Sequence, residues 1–304
     1  METKTVSVAG ATSLLGQHLL ARLAQDPALH VASLHDALAT GSSRRHLTDA
    51  TWLVGPEIAD FFHDTPLLPP QAPALAPVLL SFLPDGEESA AIEAQHLERG
   101  TRVVTHGEHA RLQVSMGLPG VTEPDMATRH LATPNCTTAM CAVPLYHLHA
   151  RYGVTGVTIT ALQAISGADV PGLPAHLIHD QVIGHLPGEA KALSRELSVI
   201  FEGAFPIDAF AARVPVWRGH TFTMSVRLAQ TANADAIADT LSRAPDLLIA
   251  TLPIYRESFA SKAPIATILD IRESAEGALI VLKGDNLEAA TTGIMQSIAH
   301  SLSY

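Results

Sequence analysis

Short apolar runs and segments of helical spacing alternate along the first third of the chain. The apolar runs predict buried strands at residues 6–9, 30–34, 52–54, 77–83 and 102–104, and amphipathic spacing predicts helices at 14–23 and 87–97. Strands that alternate with helices are typical of a parallel sheet with helices on both faces. The proline-rich residues 66–77 predict a surface loop within this α/β region.

From about residue 155 the pattern changes to longer apolar strands. These are predicted at residues 157–162, 222–228, 265–271 and 278–282, and an amphipathic helix is predicted at 287–302. Such strands are typical of an antiparallel or mixed sheet, which indicates a second, α+β domain. We expect a first domain from residues 1–136 together with 285–304, and a second domain from 137–284.

A glycine-containing turn follows the first predicted strand and opens the first predicted helix. Strand, turn and helix form the opening unit of a Rossmann-type dinucleotide-binding domain, where the helix N-terminus receives a pyrophosphate. Ser13 stands where the usual fingerprint has its middle glycine, and a strand–turn–helix can also be plain structure. The residues predicted to contact the cofactor here are Gly10, Thr12, Ser13, Leu14, Leu15 and Gly16.

The composition argues against several classes of partner. Of 304 residues, 47% are hydrophobic and 16% are charged, and the net charge is −11. This balance is typical of a globular protein, and the negative charge argues against nucleic acid or an anionic membrane surface. No apolar stretch approaches the ~18 residues of a membrane helix, and the first residues lack the apolar run of a secretion signal. We expect a cytoplasmic protein.

The cysteines are the first candidates for chemistry. Cys136 and Cys141 are five residues apart, about 140° on a helix, which suits neither a disulfide nor a metal site. Cys136 lies in the segment PNCTTA, directly ahead of a helically spaced apolar run at 139–151. A helix N-terminus stabilises a thiolate, which is the attacking species in covalent catalysis. The alternative is that Cys136 is a small buried apolar residue.

Three further segments combine polar residues with glycine or proline. They are QAISGADVPG (163–172), RVPVWRGHT (213–221) and GDNL (284–287). Together with the glycine turn and PNCTT, and in this order along nearly the whole chain, they resemble the aspartate-semialdehyde dehydrogenase family, in particular its archaeal and fungal-like branch. The chain is shorter than most members of that family.

The resemblance implies an NADP-dependent oxidoreductase of amino-acid biosynthesis, at the branch towards lysine, methionine and threonine. It implies reversible reductive dephosphorylation of 4-phospho-L-aspartate to L-aspartate 4-semialdehyde through a cysteine thioester. By motif position, Cys136 corresponds to the nucleophile and His220 to the general acid/base. Gln163 would orient the reacting oxygen, and Arg213 would bind the substrate carboxylate. The residue types suit these roles, because imidazole exchanges protons near neutrality and guanidinium grips a carboxylate.

The resemblance also implies groups that bind phosphate and the substrate ammonium. Arg111, Lys191 and Asn135 are the predicted phosphate or substrate-oxygen ligands, and Glu189 is the predicted ammonium ligand. The family usually spaces this glutamate and lysine three apart, whereas Glu189 and Lys191 are two apart. On a helix this changes the angle between them from about 300° to about 200°, so both cannot point into one pocket.

Two other acidic residues, Glu196 and Asp180, remain alternatives for the ammonium ligand.

The choice of dinucleotide rests on the end of the second predicted strand. The family usually prefers NADP, and Ser33, Arg44 and Arg45 could bind its 2′-phosphate. Asp36, about twenty residues after Gly16, instead suits the ribose of NAD. We favour NADP, with NAD as the alternative. The resemblance adds Ser166, Gly167 and Asn286 as cofactor contacts, and no metal site is expected.

Other functions share this architecture. A malonyl-CoA reductase or an N-acetylglutamyl-phosphate reductase would keep the chemistry with another substrate, and a non-catalytic paralogue would keep only the fold. The resemblance implies a small-molecule substrate, inorganic phosphate and a homodimer or dimer of dimers. The apolar strands of the second domain also favour self-association, because one helix layer would leave a sheet face uncovered.

Overall fold

The computed structural model describes residues 3–40, 46–55, 57–168, 172–251 and 264–302. The chain divides into two units. The first unit comprises Met1–Pro134 and Thr291–Tyr304, and the second comprises Asn135–Ala290. Relative to the domains expected from sequence, Asn135, Cys136 and residues 285–290 therefore lie in the second unit.

Within the described residues, the regular elements are numbered in chain order. The strands are β1 (Lys4–Ala9), β2 (Leu29–His35), β3 (Leu67–Leu68), β4 (Val78–Ser81), β5 (Arg102–Thr105), β6 (Ser115–Met116), β7 (His130–Ala132), β8 (Val154–Gln163), β9 (Ile207–Arg213), β10 (His220–Leu228), β11 (Leu247–Ile249), β12 (Ala266–Ser274) and β13 (Gly277–Gly284). The helices are α1 (Leu14–Leu23), α2 (Glu57–Phe61), α3 (Glu87–Glu98), α4 (Glu108–Arg111), α5 (Cys136–Tyr152), α6 (Ala175–Ile178), α7 (Glu189–Ile200), α8 (Ala234–Ser242) and α9 (Gly293–Ser301). None of the helices in this described part has the length and apolar character that a membrane crossing requires.

The first unit is built on a parallel sheet. Its strand order is β3-β2-β1-β4-β5-β7-β6, and neighbouring strands run parallel throughout. Val6, Val8, Leu79 and Val103 are fully buried at its centre, as expected for strands covered on both faces. The α/β, Rossmann-type architecture predicted for this part of the chain is confirmed.

One strand of the first unit lies where the sequence predicted a loop. Residues 52–54 form no strand: the Trp52 indole donates to the Leu47 carbonyl, and the Leu53 amide donates to the Gln17 side chain. Instead, β3 forms within residues 66–77 and pairs with β2, Leu67 opposite Leu34. The prediction of a third strand at 52–54 is wrong, because an apolar run of only three residues can be accommodated in a turn as easily as in a sheet.

The second unit contains a mixed sheet, as predicted. Its strand order is β11-β12-β13-β10-β8-β9, with β8–β9 and β11–β12 parallel and the other pairs antiparallel. Helices α5, α7 and α8 pack against it as one layer, α5 touching both of the others. Strand β9 and helix α7, which bring functional residues into this unit, had no counterpart among the elements predicted from sequence.

Buried and exposed side chains alternate along the strands of the second unit's sheet more regularly than the sequence suggested. In β8, Val157, Ile159 and Ala161 are fully buried, whereas the intervening Thr158 is exposed. The outward face is therefore rich in threonine, with Leu279 of β13 as an exposed apolar residue. The expectation of strands that are apolar on both faces is corrected accordingly, because a single helix layer needs only alternate residues to be apolar.

A buried carboxylate ties α3 to the strands of the first unit. Glu93 is 1% exposed and accepts hydrogen bonds from the hydroxyls of Ser81 (2.6 Å) and Thr105 (2.7 Å). Its other oxygen lies 2.8 Å from Nε2 of His109 and 3.7 Å from Nε2 of His130. Burial raises the pKa of Glu93, but these four partners together lower it below its ordinary value.

Glu93→Gln is therefore expected to destabilise the protein at neutral pH, by about 1–3 kcal/mol. A carboxyl group whose pKa is lowered by folding stabilises the fold above its unfolded pKa, and this contribution disappears as the pH falls through the folded pKa. Urea unfolding at neutral and at acid pH measures both effects. A difference between the two proteins that stays constant down to acid pH would contradict the account.

Candidate active site

Three polar side chains meet at one end of the second unit's sheet. Gln163 ends β8, Arg213 ends β9, and His220 begins β10. Gln163 pairs with Arg213 across β8 and β9, and Leu162 pairs with Thr221 across β8 and β10, so His220 stands beside Gln163. All three are buried on the side of the sheet that the helices cover. The strand register thus brings together three residues that the sequence had predicted in separate segments.

The backbone of Ala164 holds two of these side chains. Its N–H donates to Nδ1 of His220 at 3.0 Å, and its carbonyl accepts from Nη1 of Arg213 at 2.9 Å. A backbone N–H can only donate, so Nδ1 of His220 is the acceptor and the neutral ring carries its proton on Nε2.

Burial and the charge of Arg213 keep His220 neutral. Burial is the larger cause and the guanidinium of Arg213 the second, and together they lower the pKa of His220 to about 3. A second ring proton would also face the N–H of Ala164 at Nδ1. The predicted role of His220 as the general acid/base stays a prediction, and Nε2 is the ring atom available for it.

Arg213 has an unused hydrogen-bonding group. Its Nε is buried and has no hydrogen-bond partner among the described residues. Burial lowers the pKa of Arg213, while Glu189 and Cys136 act in the opposite direction, and a guanidinium stays charged in proteins. A buried donor without a partner is unfavourable, and a carboxylate ligand would satisfy it. The geometry suits the predicted carboxylate-binding role.

Gly167 permits the close approach of Arg213 and His220. A Cβ atom at this position would lie 2.7 Å from Nη1 of Arg213 and 2.8 Å from Cε1 of His220. Contacts this short would displace one of the two side chains. Glycine leaves both side chains in place, which gives a physical reason for the SGA sequence at 166–168.

Cys136 begins α5, and Asn135 caps that helix. The Oδ1 atom of Asn135 accepts from the backbone N–H of Thr137 at 3.0 Å and lies 3.4 Å from the Cys136 thiol. The N-terminal part of α5 adjoins the same end of the sheet, because a Cβ on Gly284 would fall 2.8 Å from Sδ of Met140 in the second turn. Cys136 is partly exposed, as a nucleophile must be.

Helix α7 supplies two carboxylates to this site. Oε2 of Glu189 accepts from Nε2 of Gln163 at 3.0 Å, and Oε2 of Glu196 accepts from the backbone N–H of Asn135 at 2.8 Å. Residues seven apart lie on one face of a helix, so both point towards the Cys136 end of α5. Lys191 is exposed, since two residues rotate a helix by about 200°. The predicted placement of Lys191 as a substrate ligand is therefore not supported by this structure.

Of the two alternatives to Glu189, Asp180 is exposed and only Glu196 is buried beside the site.

The GDNL segment is joined to the other motifs. Oδ1 of Asn286 accepts from the Ser166 hydroxyl at 2.9 Å and from the Gly219 amide at 3.1 Å. Arg218 makes two hydrogen bonds to Asp285, at 2.9 and 2.7 Å, and such bidentate pairs are strong and directional. Asn286, predicted as a cofactor contact, thus holds the segments before His220 and Gly167 in place.

The glycine turn of the first unit fits a dinucleotide. Gly10 has φ +70°, and a Cβ on it would collide with the carbonyl of Phe82. Ser13 caps α1 by accepting from the Gly16 amide at 3.1 Å, so it serves as a capping residue in place of the usual glycine. The amides of Leu14 and Leu15 make no hydrogen bond in the described part of the chain. Free amides at a helix N-terminus suit a pyrophosphate.

The predicted NADP contact at Ser33 is wrong. Ser33 is fully buried, and its hydroxyl bonds to the Ser7 hydroxyl (2.7 Å) and to Nε2 of His35 (2.9 Å). Strand β2 continues to His35, so Ser33 lies inside the sheet and Asp36 follows the strand. The carboxylate of Asp36 accepts from the amide (2.9 Å) and the hydroxyl (2.8 Å) of Thr12.

The remaining predicted ligands are Arg44, Arg45 and Arg111. Arg44 and Arg45 fall outside the described residues. Arg111 is buried in the first unit at the end of α4, where it donates to the carbonyl of His106 at 2.6 Å. No cluster of metal-ligating side chains is present in the part of the chain that the structure describes.

Two important residues were not found from sequence. Ala164 acts only through its backbone, which no residue pattern reveals. Arg218 lies inside the segment RVPVWRGHT, and its charge two residues before His220 was the available signal.

Comparison with known proteins gives a consistent result. No family model matches the chain. The aspartate-semialdehyde dehydrogenase of Archaeoglobus fulgidus is 28% identical over 71% of this chain and 69% of that protein. The malonyl CoA reductase (NADP) of Metallosphaera sedula is 24% identical over 72% of this chain and 68% of that protein. The solved structure of aspartate semialdehyde dehydrogenase with NADP from Candida albicans superposes with a TM-score of 0.82, at 22% identity, covering 98% of this chain and 99% of that one.

The two cysteines are expected to differ in reactivity. Iodoacetamide should modify Cys136 in the folded protein near neutral pH and leave Cys141 unmodified, because burial is the main cause that raises the pKa of Cys141 far above its ordinary value. Peptide mass spectrometry after timed alkylation measures this. As a control, both cysteines should react in denaturant. Preferential labelling of Cys141 in the native protein would refute the assignment of the exposed thiol.

Proposed function

We propose that this chain, which is similar to archaeal and fungal aspartate-semialdehyde dehydrogenases over most of its length, is itself an aspartate-semialdehyde dehydrogenase. In this role it catalyses the reversible, NADP-dependent reductive dephosphorylation of 4-phospho-L-aspartate to L-aspartate 4-semialdehyde. One observation carries the proposal. Gln163, Arg213 and His220 meet at one end of the sheet, and Cys136 begins the adjoining helix.

The site has charges that match an α-amino acid. The guanidinium of Arg213 offers a buried donor for the substrate carboxylate, and the half-buried carboxylate of Glu189 attracts it electrostatically. We propose that Glu189 faces the substrate ammonium. Opposite charges placed this way favour aspartate over a substrate that has a carboxylate but no amino group.

In the proposed reaction, the Cys136 thiolate attacks the acyl carbon of the substrate and phosphate leaves, which produces a thioester. The amide of Gln163 and the imidazole of His220 face the acyl oxygen on which negative charge develops. The N-terminus of α5 favours the thiolate both before attack and when it leaves again. Inorganic phosphate is thus the second product, or the second substrate in the reverse direction.

The dinucleotide supplies or accepts the hydride when bound. We propose that Gly10, Gly16 and the free amides of Leu14 and Leu15 hold its pyrophosphate. Ser166 and Gly167 remain predicted contacts. NADP is proposed because the similar Candida albicans structure is a complex with NADP and the similar Metallosphaera sedula enzyme is a malonyl CoA reductase (NADP). Asp36, directly after β2, is the residue type that favours NAD.

A malonyl-CoA reductase is the second candidate. The similarity to the Metallosphaera sedula enzyme and the exposed position of Lys191 favour it, because a CoA thioester needs no phosphate-binding lysine. Glu189 argues against it, since malonyl-CoA has no ammonium group for that carboxylate to bind.

Purified protein is expected to reduce NADP in the presence of aspartate semialdehyde and phosphate, measured by absorbance. NAD, malonate semialdehyde with CoA, and N-acetylglutamate semialdehyde with phosphate form the comparison set, each expected to give lower kcat/KM. Cys136→Ser should abolish turnover while circular dichroism stays unchanged, because serine is nearly isosteric but a poor nucleophile. Turnover by that variant at the rate of the parent would exclude the cysteine mechanism.

We also propose that the protein is a cytoplasmic homodimer, assembled through the second unit. Helices α5, α7 and α8 cover one face of its sheet, and the opposite face bears the exposed side chains of Leu279 and Phe210. Pairing this face with its copy about a two-fold axis would bury these residues symmetrically.

Sedimentation equilibrium at micromolar concentration is expected to give twice the chain mass of 32.1 kDa. Leu279→Glu should shift the equilibrium towards monomer, because it would place like charges together in a symmetric interface. Arg243→Glu, an exposed change at the residue that follows α8, is the control that should remain dimeric. A monomeric parent protein would overturn the proposal, and a dimer unaffected by Leu279→Glu would move the interface elsewhere.

A further inference from the structure

His220 takes its position from the turn that precedes β10. Residues 215–217 of this turn are exposed, Trp217 at 78%, so their side chains contribute little packing. Gly219, the last residue before His220, has φ +89° and no side chain that could hold it. The turn therefore depends on hydrogen bonds, and a shift in it would move the imidazole that follows.

Arg218 is the residue of this turn whose charged side chain enters the protein. Its Nε and Nη2 atoms donate to the two carboxylate oxygens of Asp285, at 2.9 and 2.7 Å, and Nη2 also donates to Oε1 of Glu288 at 3.1 Å. The Arg218 side chain is 13% exposed and that of Asp285 is 2% exposed. Burial lowers the pKa of Arg218, but the hydrogen bonds and charges of both carboxylates raise it above its ordinary value. A bidentate pair of this kind fixes orientation as well as distance.

The partners of Arg218 belong to a segment that is itself fixed against β10. Gly284 pairs with His220 across β13 and β10, and Asp285 follows Gly284 directly. One residue further, Oδ1 of Asn286 accepts from the amide of Gly219 at 3.1 Å. The turn and the segment after β13 are thus joined at several successive positions, and the guanidinium supplies the charged contact.

The same turn also holds the segment that bonds to the imidazole. The carbonyls of residues 216–217 accept from the amides of Ile165 and Ser166, at 2.8 and 3.0 Å. Directly before these two residues, the N–H of Ala164 donates to Nδ1 of His220 at 3.0 Å. A displaced turn would therefore move the ring in two ways, through its own backbone and through the partner of Nδ1.

The place of Nε2 matters because a second functional group approaches the same point. A Cβ on Gly167 would lie 3.0 Å from Nε2 of His220 and 2.7 Å from Nη1 of Arg213. Proton exchange requires a separation of about 2.6–3.2 Å between the heavy atoms, and a displacement of about 1 Å can cost roughly 10²-fold in rate. The ring therefore needs support from residues beyond those that face the substrate.

We propose that Arg218 is a positioning residue for His220: through its bonds to Asp285 and Glu288 it holds the turn at 215–219 and thereby sets the place of Nε2 beside the reacting oxygen. In this role Arg218 acts through the imidazole and does not touch the substrate. The inference rests on the proposed function for the reaction whose rate is measured, but the hold on the turn can be tested without turnover.

The first test asks whether Arg218 acts through His220. Arg218→Lys keeps the charge but loses the bidentate fork, so it is expected to lower kcat with aspartate semialdehyde roughly 10–10²-fold, with a smaller change in KM. In the His220→Ala background the same substitution should change kcat by less than about twofold, because the imidazole that it positions is absent. Losses that add in the double variant would overturn the proposal, since Arg218 would then act independently of His220.

The matched control is Arg272→Lys. Nε of Arg272 donates to Asp270 at 2.6 Å on β12 of the same unit, and the Arg272 side chain is 74% exposed. This variant should keep the kcat of the parent, and an equal loss in both lysine variants would contradict a specific role for Arg218. If circular dichroism shows that Arg218→Lys does not fold, Glu288→Gln takes its place, because it keeps the pair with Asp285. It should lower kcat in the parent and leave kcat unchanged in the His220→Ala background.

Hydrogen–deuterium exchange followed by mass spectrometry tests the hold on the turn directly. The amides of Ala164, Ile165, Ser166 and Gly219 are bonded to His220, to this turn or to Asn286. In Arg218→Lys they should exchange about tenfold faster, whereas residues 154–160 of β8 should exchange as in the parent. Unchanged exchange at these four amides would overturn the inference even in an active enzyme. If no substrate in the panel turns over, the proposed function fails, and the exchange rates still decide whether Arg218 holds the turn.

Discussion

The candidate site depends on the register of three neighbouring strands. Because β9, β8 and β10 pair so that Arg213, Gln163 and His220 stand side by side, one backbone residue, Ala164, can bond to both a guanidinium and an imidazole. A shift of one residue in any of these strands would turn the affected side chain to the other face of the sheet. The buried core positions Ile159, Phe222 and Met224 continue the same alternation, so hydrophobic packing and the placement of the three polar side chains depend on one another.

A second constraint comes from α7, which closes the site from the helix side. Its two inward carboxylates lie two turns apart and accept hydrogen bonds from different elements. Glu189 accepts from the Gln163 side chain at the end of β8, and Glu196 accepts from the backbone N–H of Asn135, next to Cys136. A buried carboxylate is stable only where donors meet it, so these bonds restrict how α5, α7 and the sheet can pack. The positions of Cys136 and of the Gln163 amide are thereby linked through one helix.

Periodicity, a local signal, was sufficient to predict the parallel sheet and the mixed sheet. The punctuated motifs drew attention to Gln163, Arg213 and His220, which the strand register places side by side. The sequence was insufficient to predict the segments whose conformation depends on contacts with distant parts of the chain. The apolar run at 52–54 predicted a strand, but the Trp52 indole and the Leu53 amide bond to the Leu47 carbonyl and the Gln17 side chain. The strand that pairs with β2 is β3, within the proline-rich residues 66–77. Ser33 looked like a cofactor ligand until β2 proved to extend to His35. The two-residue spacing of Glu189 and Lys191 did carry correct information, since helical geometry alone separates them.

The neutral His220, the charged Arg213 and the thiol at the start of α5 together describe a site for covalent chemistry at an acyl carbon next to a carboxylate. The most direct test of this account is mass spectrometry of the protein after incubation with aspartate semialdehyde and NADP in the absence of phosphate. The account predicts an aspartyl group attached through a thioester to the peptide that contains Cys136, which disappears when phosphate is added. Turnover with phosphate but no acyl group on Cys136 under any such condition would contradict it.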